Sequence, residues 1–344
     1  MTAPRIAVLG TGANGAGIGA DLTRAGHDVT FIEQWPAHVE AMREHGIRVT
    51  TPTDGKSTVT QVDVKHLCEV ATLRDTFDIV YLVLKAYDTR WGCELIKPLV
   101  AEDGVVVGLQ NGMSIDDVQS IMGEERALGG VIELGSNMFV PGEVERHSTY
   151  ANTWFALGSP NAVAHAKADQ AADILRAAGT VEVVEDIRSA KWMKLVLNAA
   201  ELVPSAILDL SIVEAARRPG MRELMIEAGL EAIRAGDAQG LSIVPIIGME
   251  NVDPERPEEF MTTLFDLLLT DFALPTTKAT VLQDWMKGRR SEVDQINGLV
   301  VGVLGAEAAP VNAAAVEIAH RIEQGRLTPG PANLALFAEL AARR

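Results

Sequence analysis

The chain has 344 residues, 47% hydrophobic and 22% charged, with a formal net charge of −17. That length holds two domains with cores of their own, and the composition excludes a disordered chain. The acidic balance excludes nucleic acid and anionic membrane surfaces as partners, so an anionic ligand must be met by local positive groups or a helix N-terminus.

In chain order, RIAVLG (5–10) reads as a short buried strand, followed by a glycine-rich turn and the helical pattern IGADLTRAGH. HDVTFIEQ (27–34) is the next strand and AHVEAMREHG (37–46) the next helix. IRVTTPTDGKSTVTQVDV is more polar, with β character. FDIVYLVLKA (77–86), DGVVVGLQNG (103–112) and ALGGVIELG (127–135) are nearly continuous apolar runs, the pattern of strands covered on both faces. Strands alternating with helices predict a parallel, doubly wound sheet, an α/β domain over 1–186. Beyond residue 187 the segments 221–240, 257–273, 278–288, 293–309 and 311–325 all read at helical period, which predicts an all-helical domain over 187–344. PIIGMENVDPERP (245–257) is expected to be an irregular loop.

GTGANG (10–15) fits G-x-G-x-x-G directly after a strand and at the start of a helix. Gly10 permits the tight turn, Gly12 lets the backbone approach a pyrophosphate, and Gly15 allows close helix–strand packing. With Thr11, Ala13 and Asn14 they form a candidate dinucleotide cradle at a helix N-terminus. Glu33 closes the second strand, where a carboxylate accepts ribose hydroxyls and repels a 2′-phosphate. Gln34 follows, with no adjacent Arg, so NAD is expected over NADP.

KWMKLVLNAAELVPSAIL (191–208) is apolar apart from a few residues. On a helix over 191–203, Lys194, Asn198 and Glu201 share one stripe, while Trp192, Leu195, Val196 and Leu197 surround it. Such apolar flanks point to a buried or cleft-lining stripe. The seven histidines form no metal-spaced cluster, and no metal is expected. Cys68 and Cys93 have no redox or metal spacing, no signal-peptide pattern follows Met1, and no apolar run reaches membrane-spanning length. A cytoplasmic protein is expected.

Five blocks in order carry a resemblance: GTGANG, LVLKAYDT with Lys85, GLQNGM with Asn111, SAKWMKLVLNAA with Lys194 and Asn198, and RRSEVDQINGLV with Glu292; PVN (310–312) adds a late Pro-x-Asn element. The chain resembles the ketopantoate reductase (2-dehydropantoate 2-reductase) family nearly end to end. The resemblance implies a Rossmann domain followed by an all-α domain of the 6-phosphogluconate dehydrogenase C-terminal type. It also implies an NAD(P)-dependent oxidoreductase of CH–OH groups in which a nicotinamide reduces a 2-oxo acid. Lys194 matches the family's proton donor, Asn111 a residue touching nicotinamide and substrate, and Lys85 a cofactor contact. Asn198 matches a substrate-binding amide, Thr280 stands where a substrate-binding Ser is usual, and Glu292 matches an acidic position of the site. By its place on the stripe, Glu201 is a further substrate-binding candidate, or an ion-pair partner for Lys194. A plain structural alternative for Glu292 is a helix-start acid with Ser291 as N-cap.

Two positions depart from the family pattern: Leu202 and Ile212 stand where polar groups are usual. That departure motivates an alternative, an NAD-dependent dehydrogenase of another hydroxy acid or alcohol in catabolism. A third reading is a nucleotide sensor without chemistry, against which Lys194, Asn198 and Asn111 weigh. A homodimer formed through the helical domain is expected of such folds.

Overall fold

The computed structural model of the chain describes residues 3–343. It divides into two compact units, residues 1–188 and 189–344.

The first unit opens with β1 (Arg5–Leu9), α1 (Ala13–Arg24), β2 (Asp28–Glu33) and α2 (Pro36–His45). There follow β3 (Ile47–Thr51), β4 (Lys56–Thr60), β5 (Asp63–His66), β6 (Phe77–Leu82), α3 (Thr89–Ile96), β7 (Val100–Gly108) and α4 (Ile115–Met122). It closes with β8 (Ala127–Glu133), β9 (Ser136–Val140), β10 (Glu143–Arg146), β11 (Trp154–Gly158), α5 (Ala162–His165), α6 (Ala168–Leu175) and β12 (Thr180–Val183).

Eight strands form one sheet in the order β12-β11-β8-β7-β6-β1-β2-β5. From β1 the chain steps outward through β2 to β5, then returns to the other side of β1 for β6, β7 and β8. Strand order therefore reverses at β1/β6, the place where open α/β sheets bind ligands at their carboxyl ends. Ile6, Val8, Ile79 and Tyr81 join one core layer, while Ala7, Leu9, Val80 and Leu82 join the other. Both faces are covered, which is why these strands read as unbroken apolar runs.

The expected parallel sheet needs one correction. β11 pairs antiparallel with β8, and β12 pairs parallel with β11, so the last two strands run against the rest. An antiparallel neighbour needs no helical crossover, and the chain between β8 and β11 builds strands instead. Those strands belong to a second sheet of order β4-β3-β10-β9, in which β3 and β10 pair in parallel. This small sheet covers α1 on the side away from the large sheet: α1 packs against β1 and β2, and also against β3, β4, β9 and β10.

The second unit is helical. Its first helix, α7 (Ile187–Ile207), begins in the last residues of the first unit. α8 (Ile212–Ala216), α9 (Met221–Asp237), α10 (Pro257–Leu267), α11 (Thr280–Met286), α12 (Asn297–Leu304), α13 (Pro310–Glu323) and α14 (Asn333–Ala342) follow. Residues 241–256 are irregular. The helix expected over 293–309 is broken: Val293–Gln295 is one 3₁₀ turn, and α12 starts after it. Among the described residues, no helix is long and apolar enough to cross a membrane.

Candidate active site

In the first unit, the glycine-rich turn follows β1 and the N-terminus of α1 rises from it. Gly10 has φ +89°, a conformation that L side chains rarely adopt, and a Cβ there would lie 2.9 Å from the Leu84 backbone nitrogen. A Cβ on Gly15 would lie 2.1 Å from the Gly10 carbonyl oxygen, so the third glycine is a packing requirement. A Cβ on Gly12 would meet nothing within 4 Å, so the backbone there faces open space. Gly12 is also the N-cap of α1, and no side chain caps that helix. Within the candidate turn, Gly12, Ala13 and Asn14 are half-buried at the uncapped helix N-terminus, an arrangement that fits a pyrophosphate, while Gly10, Thr11 and Gly15 are buried behind them and shape the turn.

The other first-unit candidates stand at the ends of neighbouring parallel strands. Lys85 follows β6 and Asn111 follows β7, both half-buried, while Glu33 ends β2. Thr89 and Gln110, which the sequence did not single out, join the two loops. The Gln110 amide donates to Thr89 Oγ1 at 2.9 Å, and that hydroxyl donates to the Ala86 carbonyl at 2.7 Å.

Glu33 is turned inward. Its Oε2 accepts from the Thr11 N–H at 2.8 Å and the Thr11 hydroxyl at 3.0 Å. Its Oε1 accepts from the Gln34 and Trp35 N–H groups, each at 2.9 Å. The carboxylate assigned from sequence to the ribose thus already receives four hydrogen bonds, about the number its oxygens accept.

In the second unit α7 is buried along nearly its whole length. Lys194, Asn198 and Glu201 are 8%, 2% and 3% exposed. Lys194 Nζ lies 3.8 Å from Glu201 Oε1, two turns along the same stripe. Lys191, 3% exposed, begins that stripe one turn earlier; the sequence reading passed over it. The helix runs through Pro204, four residues beyond Ala200, and its last carbonyl, Ile207, accepts from Gly330 N–H and Asn333 Nδ2, both at 3.0 Å.

Two contacts hold α7 from behind. The Trp192 indole N–H donates to the Ala232 carbonyl of α9 at 2.8 Å, and a Cβ on Gly236 would lie 2.4 Å from that indole nitrogen. Asn297 of α12 donates to the Ala199 carbonyl at 3.0 Å and to Asn312 Oδ1 at 2.8 Å. Asn312, from the PVN element, donates in turn to Glu231 Oε2 at 2.7 Å.

The remaining second-unit candidates lie outside α7. Thr280 opens α11, and its Oγ1 is buried without a hydrogen-bond partner among the described residues. Glu292 is 3% exposed and precedes the 3₁₀ turn. Ser291 is not its N-cap: the hydroxyl donates to Glu323 Oε1 at 2.6 Å, because Glu323 of α13 offers a carboxylate at that point. Leu202 and Ile212 are both buried. Among the described residues, no group of three or more His, Cys, Asp or Glu could hold a metal ion.

Known proteins match the chain along most of its length. The family model described as ketopantoate reductase PanE/ApbA matches residues 6–160, and that of its C-terminal part matches residues 186–323. The 2-dehydropantoate 2-reductase of Archaeoglobus fulgidus is 29% identical over 306 residues, 88% of this chain and 91% of that protein. A PanE/ApbA family ketopantoate reductase from Ralstonia eutropha JMP134 superposes with a TM-score of 0.76 at 26% identity, covering 94% of this chain and 99% of that one. A ternary complex of D-mandelate dehydrogenase with NADH and anilino(oxo)acetate reaches a TM-score of 0.81 at 20% identity, over 94% and 99% of the two chains, a likeness of fold alone. The family models and the 2-dehydropantoate 2-reductase relatives do not favour a catabolic dehydrogenase of another hydroxy compound. With both parts of the family matched in order along its length, the chain belongs to the ketopantoate reductase PanE/ApbA family and is a pyridine-nucleotide-dependent reductase.

Proposed function

We propose that the protein reduces the ketone of a 2-oxo acid of the ketopantoate class, with Lys194 as proton donor and NADH as the preferred reductant. The buried stripe of α7 carries this reading: an ammonium, an amide and a carboxylate one and two turns apart in an otherwise apolar helix. When bound, the reduced nicotinamide supplies the hydride. Lys194 Nζ holds a proton for the carbonyl oxygen, whose charge grows as the ketone is reduced, and stabilises that charge before giving the proton up. Glu201 balances the ammonium inside the fold. Asn198 orients a hydroxyl or carboxylate of the substrate, and the buried Thr280 hydroxyl offers a further polar contact. Glu292 is a further wall of the same site. Leu202 and Ile212 add no polar group, so the substrate's recognition falls on Asn198, Glu201 and Thr280.

On the nucleotide side, Gly10 to Gly15 and the start of α1 receive the pyrophosphate, while Lys85 and Asn111 stand at the adjoining strand ends. Glu33 places negative charge at the end of β2, which disfavours a 2′-phosphate even with its oxygens already bonded. Homodimerisation through the helical unit belongs to the same reading and is measured by light scattering.

Steady-state assays with 2-dehydropantoate and each reduced nucleotide test the proposal. Lys194→Ala is expected to lower kcat by about a thousandfold or more while nucleotide affinity stays unchanged. Near-normal turnover in that variant rejects Lys194 as the donor. A kcat/KM that is equal or higher with NADPH rejects the NADH preference.

A further inference from the structure

Thr11, the second residue of the glycine-rich turn, is gripped on every polar group it has. Its N–H and hydroxyl go to Glu33, and its carbonyl meets His38 Nε2 at 2.9 Å. His38 is fully buried. Its other ring nitrogen, Nδ1, accepts from the Gly142 N–H at 2.9 Å. A backbone N–H can only donate, so Nδ1 carries the lone pair, Nε2 carries the proton, and the ring is the neutral tautomer that donates to Thr11.

Gly142 lies in the turn between β9 and β10, so His38 ties the glycine-rich turn to the small sheet. Two further ties follow the same direction. The Ser136 hydroxyl, at the start of β9, donates to Asn14 Oδ1, and Arg146, at the end of β10, pairs with Asp21 of α1 inside the fold. Arg146 is itself fixed by donating to Thr153 Oγ1 at 3.0 Å and to the Ala178 carbonyl at 2.6 Å.

We propose that His38 is a positioning residue for the dinucleotide, through which the small sheet holds the glycine-rich turn in its phosphate-binding conformation before the nucleotide arrives. The inference rests on the nucleotide-binding reading of that turn and deepens it. A turn already shaped gives up less conformational freedom on binding, so the effect falls on affinity and not on the chemical step.

Nucleotide binding to the full-length protein, followed by quenching of protein fluorescence, tests this alongside steady-state kinetics. His38→Ala is expected to weaken NADH binding about tenfold or more, with kcat at saturating nucleotide close to wild type. His38→Gln carries a donor and an acceptor at nearly the imidazole spacing and is expected to restore most of the affinity. A folded His38→Ala protein that binds NADH as wild type does overturns the proposal, as does a fall in kcat with unchanged affinity. Hydrogen exchange on the wild-type protein without nucleotide supplies an arm that needs no variant. The Thr11 amide is expected to be protected, and exchange at the rate of an open loop overturns the proposal. Should wild type bind neither NADH nor NADPH, the nucleotide reading itself fails, and the exchange result still decides whether the turn is held.

Discussion

At the scale of single residues, the decisive pair is Lys194 with Glu201, two charges buried 3.8 Å apart. Removing one partner leaves the other charge inside the fold without its counter-charge. Glu201→Leu is therefore expected to destabilise the protein by about 3 kcal/mol in urea unfolding, with the Lys194→Met/Glu201→Leu double variant recovering most of the loss. An unfolding midpoint for Glu201→Leu equal to wild type contradicts this. The stripe was legible in the sequence because helical period alone puts residues 194, 198 and 201 on one side. Glu33 was legible as a carboxylate at a strand end, but not as a clamp. Two of its donors come from Thr11, 22 residues away, and only the fold shows them. His38 gave no signal at all. A histidine two residues into a helix reads the same whether its ring meets water or two backbone groups.

Among elements, α7 is steadied by a chain of amides that ends at a carboxylate. Glu231 of α9 accepts from the Val311 and Asn312 N–H groups at 2.9 and 2.8 Å, satisfying the first turn of α13 just after Pro310. Asn312 passes the chain to Asn297, and Asn297 reaches the α7 backbone at Ala199, beside Asn198. Asn312→Leu breaks the relay at its centre and leaves buried polar groups stranded. A loss of about 3 kcal/mol is expected, read as a lowered urea midpoint; an unchanged midpoint argues that the relay is slack. The PVN element was visible in the sequence only as a resemblance, since its partners Glu231 and Asn297 lie 81 and 15 residues away. In the large sheet β1, β2, β6, β7 and β8 were legible as strands, while β11 and β12 passed unread. Of the small sheet, β3 and β4 lay in the polar stretch read as having β character, but β9, β10 and the pairing of the four were not legible. β9 and β10 have only five and four residues, and β10 pairs with β3 across nearly a hundred residues of chain, which no local pattern records.

For the molecule as a whole, pH acts on the N-terminal unit through His38. Burial pushes this imidazole below its ordinary value of 6.5, against an opposing pull from Glu33 and a hydrogen bond to Thr11. Below pH 6.5 the unfolded chain takes up a proton that the folded ring resists. The His38 contribution to stability is therefore complete above that pH and is lost as pH falls toward the lower folded value, by up to about 1.4 kcal/mol per pH unit. Urea unfolding at pH 7.0 and pH 5.5 is expected to show a larger loss for wild type than for His38→Gln. Equal losses mean that the ring already titrates freely.

The notch at Gly236 that admits the Trp192 indole works like a keyway on a shaft. It leaves α7 no freedom to swivel about its long axis, so the azimuth of every residue on that helix is indexed to one tryptophan. Side chains at positions 198, 201 and 202 can then be exchanged while the amine at 194 keeps its bearing.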